Sequence, residues 1–368
     1  MSALELFLDL AAMPSPPGEE RAVADRVAEE LRALGLDVDE DDARVEIGGG
    51  TGNLYARLEP TAEGTPLFFC AHMDTVPPTG TIEPVVDDGV VRNAGGTILG
   101  ADNKSAVVSI VEAARRVVEG GLSHAGMELL FTPKEEVGLR GAQAFDCSRL
   151  AARVGFVYDQ AGPIGEVVLG APHSMTVGIT FTGQSAHAGM APEEGRSAIA
   201  AAARAIADMR LGRIDDETSA NVGTIRGGVA RNIVPDTCVL SAEARSHNEA
   251  KLADVVQEML DACSFAATLT GCDVEAKVER GFHGYRFAKG DQPVRLADAA
   301  LRRTGREPTY SLSGGGADAN VFNLQGLACL NLANGMAEIH TPQEHIAVAD
   351  LEGMVEVTLA LLEEARGA

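Results

Sequence analysis

The sequence predicts a three-layer α/β domain interrupted by a smaller α+β domain of ferredoxin-like type. Three observations carry this expectation. Up to about Pro172, short apolar runs alternate with helical stretches, the pattern of strands buried between layers of helices. From there Met175, Val177, Ile179 and Phe181 alternate with polar or small residues, the period-2 mark of a half-buried strand. The order β-α-β-β-α-β then follows over roughly 110 residues, as in a split βαβ unit, and the α/β texture returns from Asp291. The larger, discontinuous domain is therefore drawn at 1–172 and 283–368, and the inserted one at 173–282. A chain of 368 residues fits two domains at about 150 residues each.

Taken in order, Ser2 with Glu5 three residues on forms a capping-box pattern that opens a helix to about Ala12, ended by Pro14, Pro16 and Pro17. Val23, Val27, Leu31 and Leu34 have helical spacing and Gly35 stops them. Strands are expected at Asn53 to Leu58 and Leu67 to Cys70, a helix from Lys104 to Val118, and strands at Met127 to Phe131 and Val154 to Tyr158. In the insertion, helices are expected at Ser197 to Met209 and Glu249 to Leu269. Its later strands are expected at Asn221 to Ile225, Thr237 to Arg245 and Asp273 to Glu279, and an amphipathic helix from Ile346 to Ala365 closes the chain.

Hydrophobic residues make up 45% of the chain, enough for packed interiors, but aromatics only 4%, so Ala, Val, Leu and Ile must build the cores. A formal charge of -24 argues against nucleic acid or an anionic membrane as partner, since both require a basic surface. Cysteines 70, 147, 238, 263, 272 and 329 show no C-x-x-C spacing and read as buried thiols of a reducing compartment. The first ten residues carry Glu5 and Asp9 and lack a basic segment with an apolar core, so no secretory signal is expected. No run reaches 18 apolar residues. The expected location is cytoplasmic.

The chemistry is concentrated at predicted strand ends. Cys70-Ala71-His72-Met73-Asp74 places an imidazole and a carboxylate two residues apart after an apolar run, hence on one face of an extended strand. The pair reads as a metal ligand backed by a carboxylate, or as a surface pair. Asp102, after Gly100 at the mouth of a helix, reads as an N-cap or a ligand. The spacing to Lys104 excludes a phosphate-binding P-loop. Glu135 and Glu136 stand side by side past a strand; adjacent side chains diverge, so one is free to bind metal while the other faces substrate. Asp159 follows another strand, and Glu338-Ile339-His340 adds a second histidine. Open α/β sheets collect ligands at the carboxyl ends of their strands. Imidazole and carboxylate without cysteine suit zinc, cobalt or manganese, and two such ions roughly 3.5–4 Å apart could share Asp102 and activate a water between them.

With these motifs in this order, the chain resembles the M20 metallopeptidase family over essentially its whole length, most of all the tripeptidase, or peptidase T-like, branch. The resemblance rests on Ala71-His72-Met73-Asp74-Thr75-Val76, Gly100-Ala101-Asp102-Asn103-Lys104-Ser105, Pro133-Lys134-Glu135-Glu136-Val137-Gly138, Tyr158-Asp159 and Ile339-His340. It implies a zinc-peptidase-like catalytic domain with a lid and dimerisation domain inserted. One divalent ion would be held by His72, Asp102 and Asp159 and the other by Asp102, Glu136 and His340, zinc first and cobalt or manganese as alternatives. Asp74 would orient His72, and Glu135 would be the general base on a water bridging the metals. Asn103 stands where the family often has a second aspartate; no ligand is thereby lost. A cis peptide is implied at Asp102–Asn103. In the insertion, His187 of Gly183-Gln184-Ser185-Ala186-His187 matches a histidine that polarises the substrate carbonyl, often in the site of the other subunit. Asn232 and Arg245 match substrate-contacting positions, with a helix cap and a surface salt bridge as their plainer readings. The loop from Gly314 to Asp318 resembles a substrate-proximal glycine-rich loop, or is simply the entrance to a helix. His173 and His345 receive no role.

Three functions compete at this stage. An aminopeptidase acting on short peptides follows from the tripeptidase-like wording of the motifs. A carboxypeptidase or N-acyl amino acid amidohydrolase would use the same metals, with Arg245 gripping a substrate carboxylate. A non-catalytic binding protein on the same scaffold is disfavoured by the intact ligand set and Glu135. A homodimer through the inserted domain is expected, with neither nucleic acid nor membrane as partner.

Overall fold

The computed structural model describes residues 2–367, so Met1 and Ala368 of the expected larger domain lie outside the described residues. The chain divides into two compact units: residues up to Ala171 together with those from Arg286, and Pro172–Tyr285.

The first unit is built on eight strands in the spatial order Val38–Glu40, Leu54–Leu58, Met127–Thr132, Leu67–His72, Val154–Gln160, Ala328–Ala333, Glu166–Val168 and Thr309–Ser311. The four from Met127–Thr132 to Ala328–Ala333 run parallel, which brings their carboxyl ends to one edge of the sheet. Every residue of Leu67–His72 and Met127–Thr132 is buried, because both sheet faces are covered. Leu67, Phe69 and Ala71 enter the main core with the helices Ala3–Ala11, Ala101–Gly120, Gln292–Arg303 and Val348–Ala365. Phe68, pointing the other way, meets Phe322 of the helix Asp318–Leu324 edge-on at 5.2 Å. Gly155 on the neighbouring strand permits this, since a Cβ there would stand 2.1 Å from the Phe68 ring. Each fully buried phenylalanine contributes on the order of 1.5–3 kcal/mol, so this layering organises the unit.

The expected capping box of Ser2 and Glu5 is present. Two helix boundaries differ from expectation. The helix expected from Lys104 opens at Ala101, with Asp102 and Asn103 held out of helical geometry inside its first turn. The last helix opens at Val348 because His345–Ala347 pair with Val90–Asn93 in a small sheet that the weak patterning of these short strands did not announce. Glu166–Val168 and Thr309–Ser311 were likewise too short for periodicity to reveal.

The second unit is a five-stranded antiparallel sheet in the order Gly212–Asp215, Thr218–Gly227, Thr237–Ser246, His173–Thr182 and Asp273–Phe282. Without the short edge strand Gly212–Asp215, this is the four-stranded arrangement of a ferredoxin-like split βαβ. The helices Ala198–Asp208 and Glu249–Thr270 cover one face. Ala198, Ala201, Ala202 and Ala205 bring the first of them close to Val177, Ile179 and Phe181 in a separate core. All six cysteines are unpaired, and five are buried. Among the described residues, no helix is long and apolar enough to cross a membrane.

Candidate metal centre

The carboxyl ends of the parallel strands gather the predicted side chains of the first unit. His72 ends the strand Leu67–His72 and is buried. Its Nδ1 lies 2.8 Å from the Asp74 carbonyl oxygen, which only accepts, so neutral His72 carries its proton on Nδ1 and presents the Nε2 lone pair. Nε2 lies 3.2 Å from Asp102 Oδ1 and 3.7 Å from Asp159 Oδ1. The other oxygen of Asp102, Oδ2, lies 3.2 Å from His340 Nε2, which is also 3.1 Å from Glu136 Oε1. Asp102 thus turns one oxygen to each histidine. Two donor groups result, His72 with Asp102 and Asp159 and Asp102 with Glu136 and His340, each with its ligand atoms within 4.8 Å of one another. The Asp102–Asn103 peptide is cis, as the resemblance implies.

Asp74 stands behind His72 with both its carbonyl and its carboxylate. The carbonyl of Asp74, not its carboxylate, sits closest to His72 Nδ1; the carboxylate Oδ1 stands behind at 3.5 Å. That carboxylate accepts the amides of Glu135 at 2.9 Å and Glu136 at 3.1 Å, so it shapes the turn bearing both acids. Glu20, also fully buried, accepts the amides of Gly18 at 2.7 Å and of Lys134 at 3.2 Å, where Lys134 adopts φ +58°. Three successive amides, 134 to 136, are therefore held by two buried carboxylates. Asn331 fixes the other strand end, accepting the Asp159 amide at 2.9 Å and donating to its carbonyl at 3.0 Å. Glu344 accepts the amides of Leu99, Gly100 and Asp102. Sequence reasoning missed Glu20, Asn331 and Glu344 because a side chain that binds backbone leaves no spacing signature. Asp318, at the end of the glycine-rich loop, is buried and accepts the Thr132 hydroxyl at 2.5 Å.

Electrostatics test whether these residues fit a cation. Burial, then repulsion from Asp159, pushes the Glu135 carboxyl well above the usual range. Burial and Asp102 push Asp159 up to about 8. Burial opposes the charge on Asp102 as well, yet His340 and His72 outweigh it and hold this carboxyl below its ordinary value. Bonds to Asp102 and Glu136 push His340 up to about 10. Carboxylates and imidazoles raised together mark a cluster with more negative charge than its surroundings neutralise. A divalent cation relieves that excess, and an oxygen and imidazole donor set without thiolate suits zinc, cobalt or manganese.

A third cluster, His173, Glu249 and His283, lies in the second unit and differs in kind. His173 Nδ1 accepts the Gly284 amide at 3.0 Å, so its neutral ring carries the proton on Nε2, and Glu249 is paired with Arg280 at 2.7 Å.

The remaining predicted residues also belong to the second unit. His187 is exposed, and its Nδ1 accepts the amides of Gly189 and Met190. Asn232 is exposed, and its carbonyl accepts the Ala188 amide at 3.0 Å. Arg245 is half-buried, paired with Glu243 at 3.1 Å, with its guanidinium 5.7 Å from the Phe282 ring centroid.

The chain is similar to known proteins along its whole length. The M20 peptidase dimerisation domain family matches residues 170–268, and peptidase family M28 matches residues 53–174. The aminopeptidase PepT of Bacillus cereus is 40% identical, with 99% of this chain and 98% of that one covered at a TM-score of 0.88. A tripeptidase of Staphylococcus aureus is 34% identical, with 100% and 98% covered at 0.94. The Bacillus subtilis YXEP protein, described as a dinuclear metal binding peptidase from the M20 family, shares the fold at a TM-score of 0.74 and 16% identity, with 98% of each chain covered.

Proposed function

This chain belongs to the M20 peptidase family, in its peptidase T-like branch, and is a peptide-bond hydrolase; from that premise we propose that it is an aminopeptidase of short peptides, tripeptides above all, working with two divalent metal ions. One observation carries the two-metal reading: Asp102 turns its two oxygens to His72 and His340, within two separate donor groups. His72, Asp102 and Asp159 would hold one ion and Asp102, Glu136 and His340 the other, zinc first, with cobalt or manganese as alternatives. When bound, the ions would polarise the scissile carbonyl and acidify a water.

The chain's own residues supply the rest. Glu135, buried beside the donor groups and with its amide fixed by Asp74, takes the proton of the attacking water on its carboxylate and returns it to the leaving nitrogen. Asp74 keeps the proton of His72 on Nδ1 through its carbonyl and positions Glu135 and Glu136 through its carboxylate. We assign His187 to the substrate carbonyl, Asn232 and Arg245 to substrate contacts, and the inserted unit to a lid that also forms a homodimer. The match of residues 170–268 to a dimerisation domain supports the homodimer. Six unpaired cysteines support a cytoplasmic location.

Purified protein stripped with a chelator and reloaded with zinc, cobalt or manganese should hydrolyse tripeptides with a free amino terminus and leave N-acyl amino acids intact. Hydrolysis of N-acyl amino acids in preference to tripeptides would replace this reading with the amidohydrolase one. Undiminished tripeptide hydrolysis by the stripped, metal-free chain would overturn the metal-dependent mechanism.

A further inference from the structure

We propose that Glu344 is a positioning residue that sets the separation of Asp102 and His340 and thereby builds the second metal position, an inference that rests on the two-metal reading above. Its carboxylate is buried, and both oxygens are engaged: Oε2 accepts the amides of Leu99 at 2.7 Å and Gly100 at 2.9 Å, and Oε1 accepts that of Asp102 at 2.9 Å. These amides lie just before and inside the irregular opening of the stretch Ala101–Gly120, where Asp102 and Asn103 leave helical geometry and N–H groups lack helical partners. Gly100, at φ +81°, turns the chain so that all three face one carboxylate.

The other end of this link is the loop that carries His340. Ala337 and His345 exchange backbone hydrogen bonds and close the loop at its base, and Glu338 and His340 inside it adopt φ +52° and +62°. Glu344 stands beside that closed base. Its hydrogen bond to the Asp102 amide spans 242 positions in sequence and ties the His340 loop to the Asp102 segment. His340 does not secure this register by packing, because its side chain is 46% exposed. Lys104, buried beneath the same segment, donates from its amino group to the Met13 carbonyl. Glu344 touches no ligand side chain of either donor group; it acts through the backbone of Asp102 and the base of the His340 loop.

Glu344→Gln tests this. A carboxamide has one accepting oxygen, and its NH2 would confront a backbone N–H at either Asp102 or the Leu99–Gly100 pair. Zinc alone is the probe, titrated into chelator-stripped protein, with stoichiometry by elemental analysis and stepwise affinities by competition. His340→Ala is run in parallel. The second zinc equivalent should weaken by roughly 10–100-fold in Glu344→Gln while the first changes less. The thermal midpoint of the stripped chain should fall by no more than roughly 2–12 °C, the cost of one buried N–H left without an acceptor. If His340→Ala loses the second equivalent and Glu344→Gln binds it within about threefold of the parent, the positioning role is overturned and the two-metal reading stands. If His340→Ala keeps both equivalents at parental affinity, the two-metal reading falls and this inference with it. Should Glu344→Gln fail to fold, Glu344→Asp, which keeps the charge but ends one carbon short of the amides, carries the same measurement and the same outcomes.

Discussion

Asp74→Asn isolates what the Asp74 carboxylate does, because it changes one oxygen to an NH2 and leaves the carbonyl that faces His72 in place. The carboxylate accepts two amides, Glu135 at 2.9 Å and Glu136 at 3.1 Å. Asparagine can accept only one and turns a donor toward the other. A buried N–H left without a partner costs about 1–3 kcal/mol. Where that cost is expressed as displacement of Glu135 or Glu136, it appears in catalysis at 1.36 kcal/mol per decade, or about 5–150-fold in kcat/KM. The assay is tripeptide hydrolysis on zinc-loaded protein with metal content measured on the same samples. A fall within that range, with at least the first zinc retained, agrees with a carboxylate that shapes the Glu135–Glu136 turn. A variant within twofold of the parent in kcat/KM at full zinc content would refute the reasoning.

Glu135→Gln should retain zinc yet lose roughly 10²–10⁴-fold in kcat, the usual contribution of a general base, and a rate near the parent's would reassign that role. Glu20→Ala removes the acceptor of the Gly18 and Lys134 amides, at a cost of about 1–3 kcal/mol. At about 2–4 °C per kcal/mol for a unit of this size, its thermal midpoint should fall by roughly 2–12 °C in calorimetry, and an unchanged midpoint would show the link to be dispensable. The Asp318 carboxyl is pushed from 3.8 up to about 6, burial being the largest cause. Its folded-state value lies above its unfolded one, so it stabilises the fold below about pH 4, and that contribution, about 3 kcal/mol at most, is lost as pH rises through about 6. In chelator-stripped protein, Asp318→Asn should therefore flatten the stability profile between about pH 4 and 6, whereas a profile parallel to the parent's would exclude a buried ionising carboxyl.

Much of this molecule was legible in the chain because its signals are periodic or local. The alternation of Met175, Val177, Ile179 and Phe181 encodes a strand with one covered face, and the structure has that strand at His173–Thr182. The apolar runs ending at Cys70, Phe131 and Tyr158 encode strands buried on both faces, and a parallel sheet necessarily brings their ends to one edge. That is why His72, Glu135, Glu136 and Asp159 could be singled out before any coordinates, whereas Asp102 was read from the mouth of a helix and His340 from the order of the motifs.

What only the tertiary structure decided is how the backbone beneath those side chains is held. Glu20, Asn331 and Glu344 occupy positions with no helical, alternating or ligand spacing, since their partners are amides and carbonyls of distant segments, and every residue but proline offers both groups. The division of labour within Asp74, carbonyl to His72 and carboxylate to the Glu135–Glu136 turn, likewise depends on how two loops approach in space. The short strands Glu166–Val168 and His345–Ala347 exist because a partner edge was available, which their own residues do not encode. Side-chain chemistry is written in the residue types and their spacing; backbone recognition is settled only when the chain has folded.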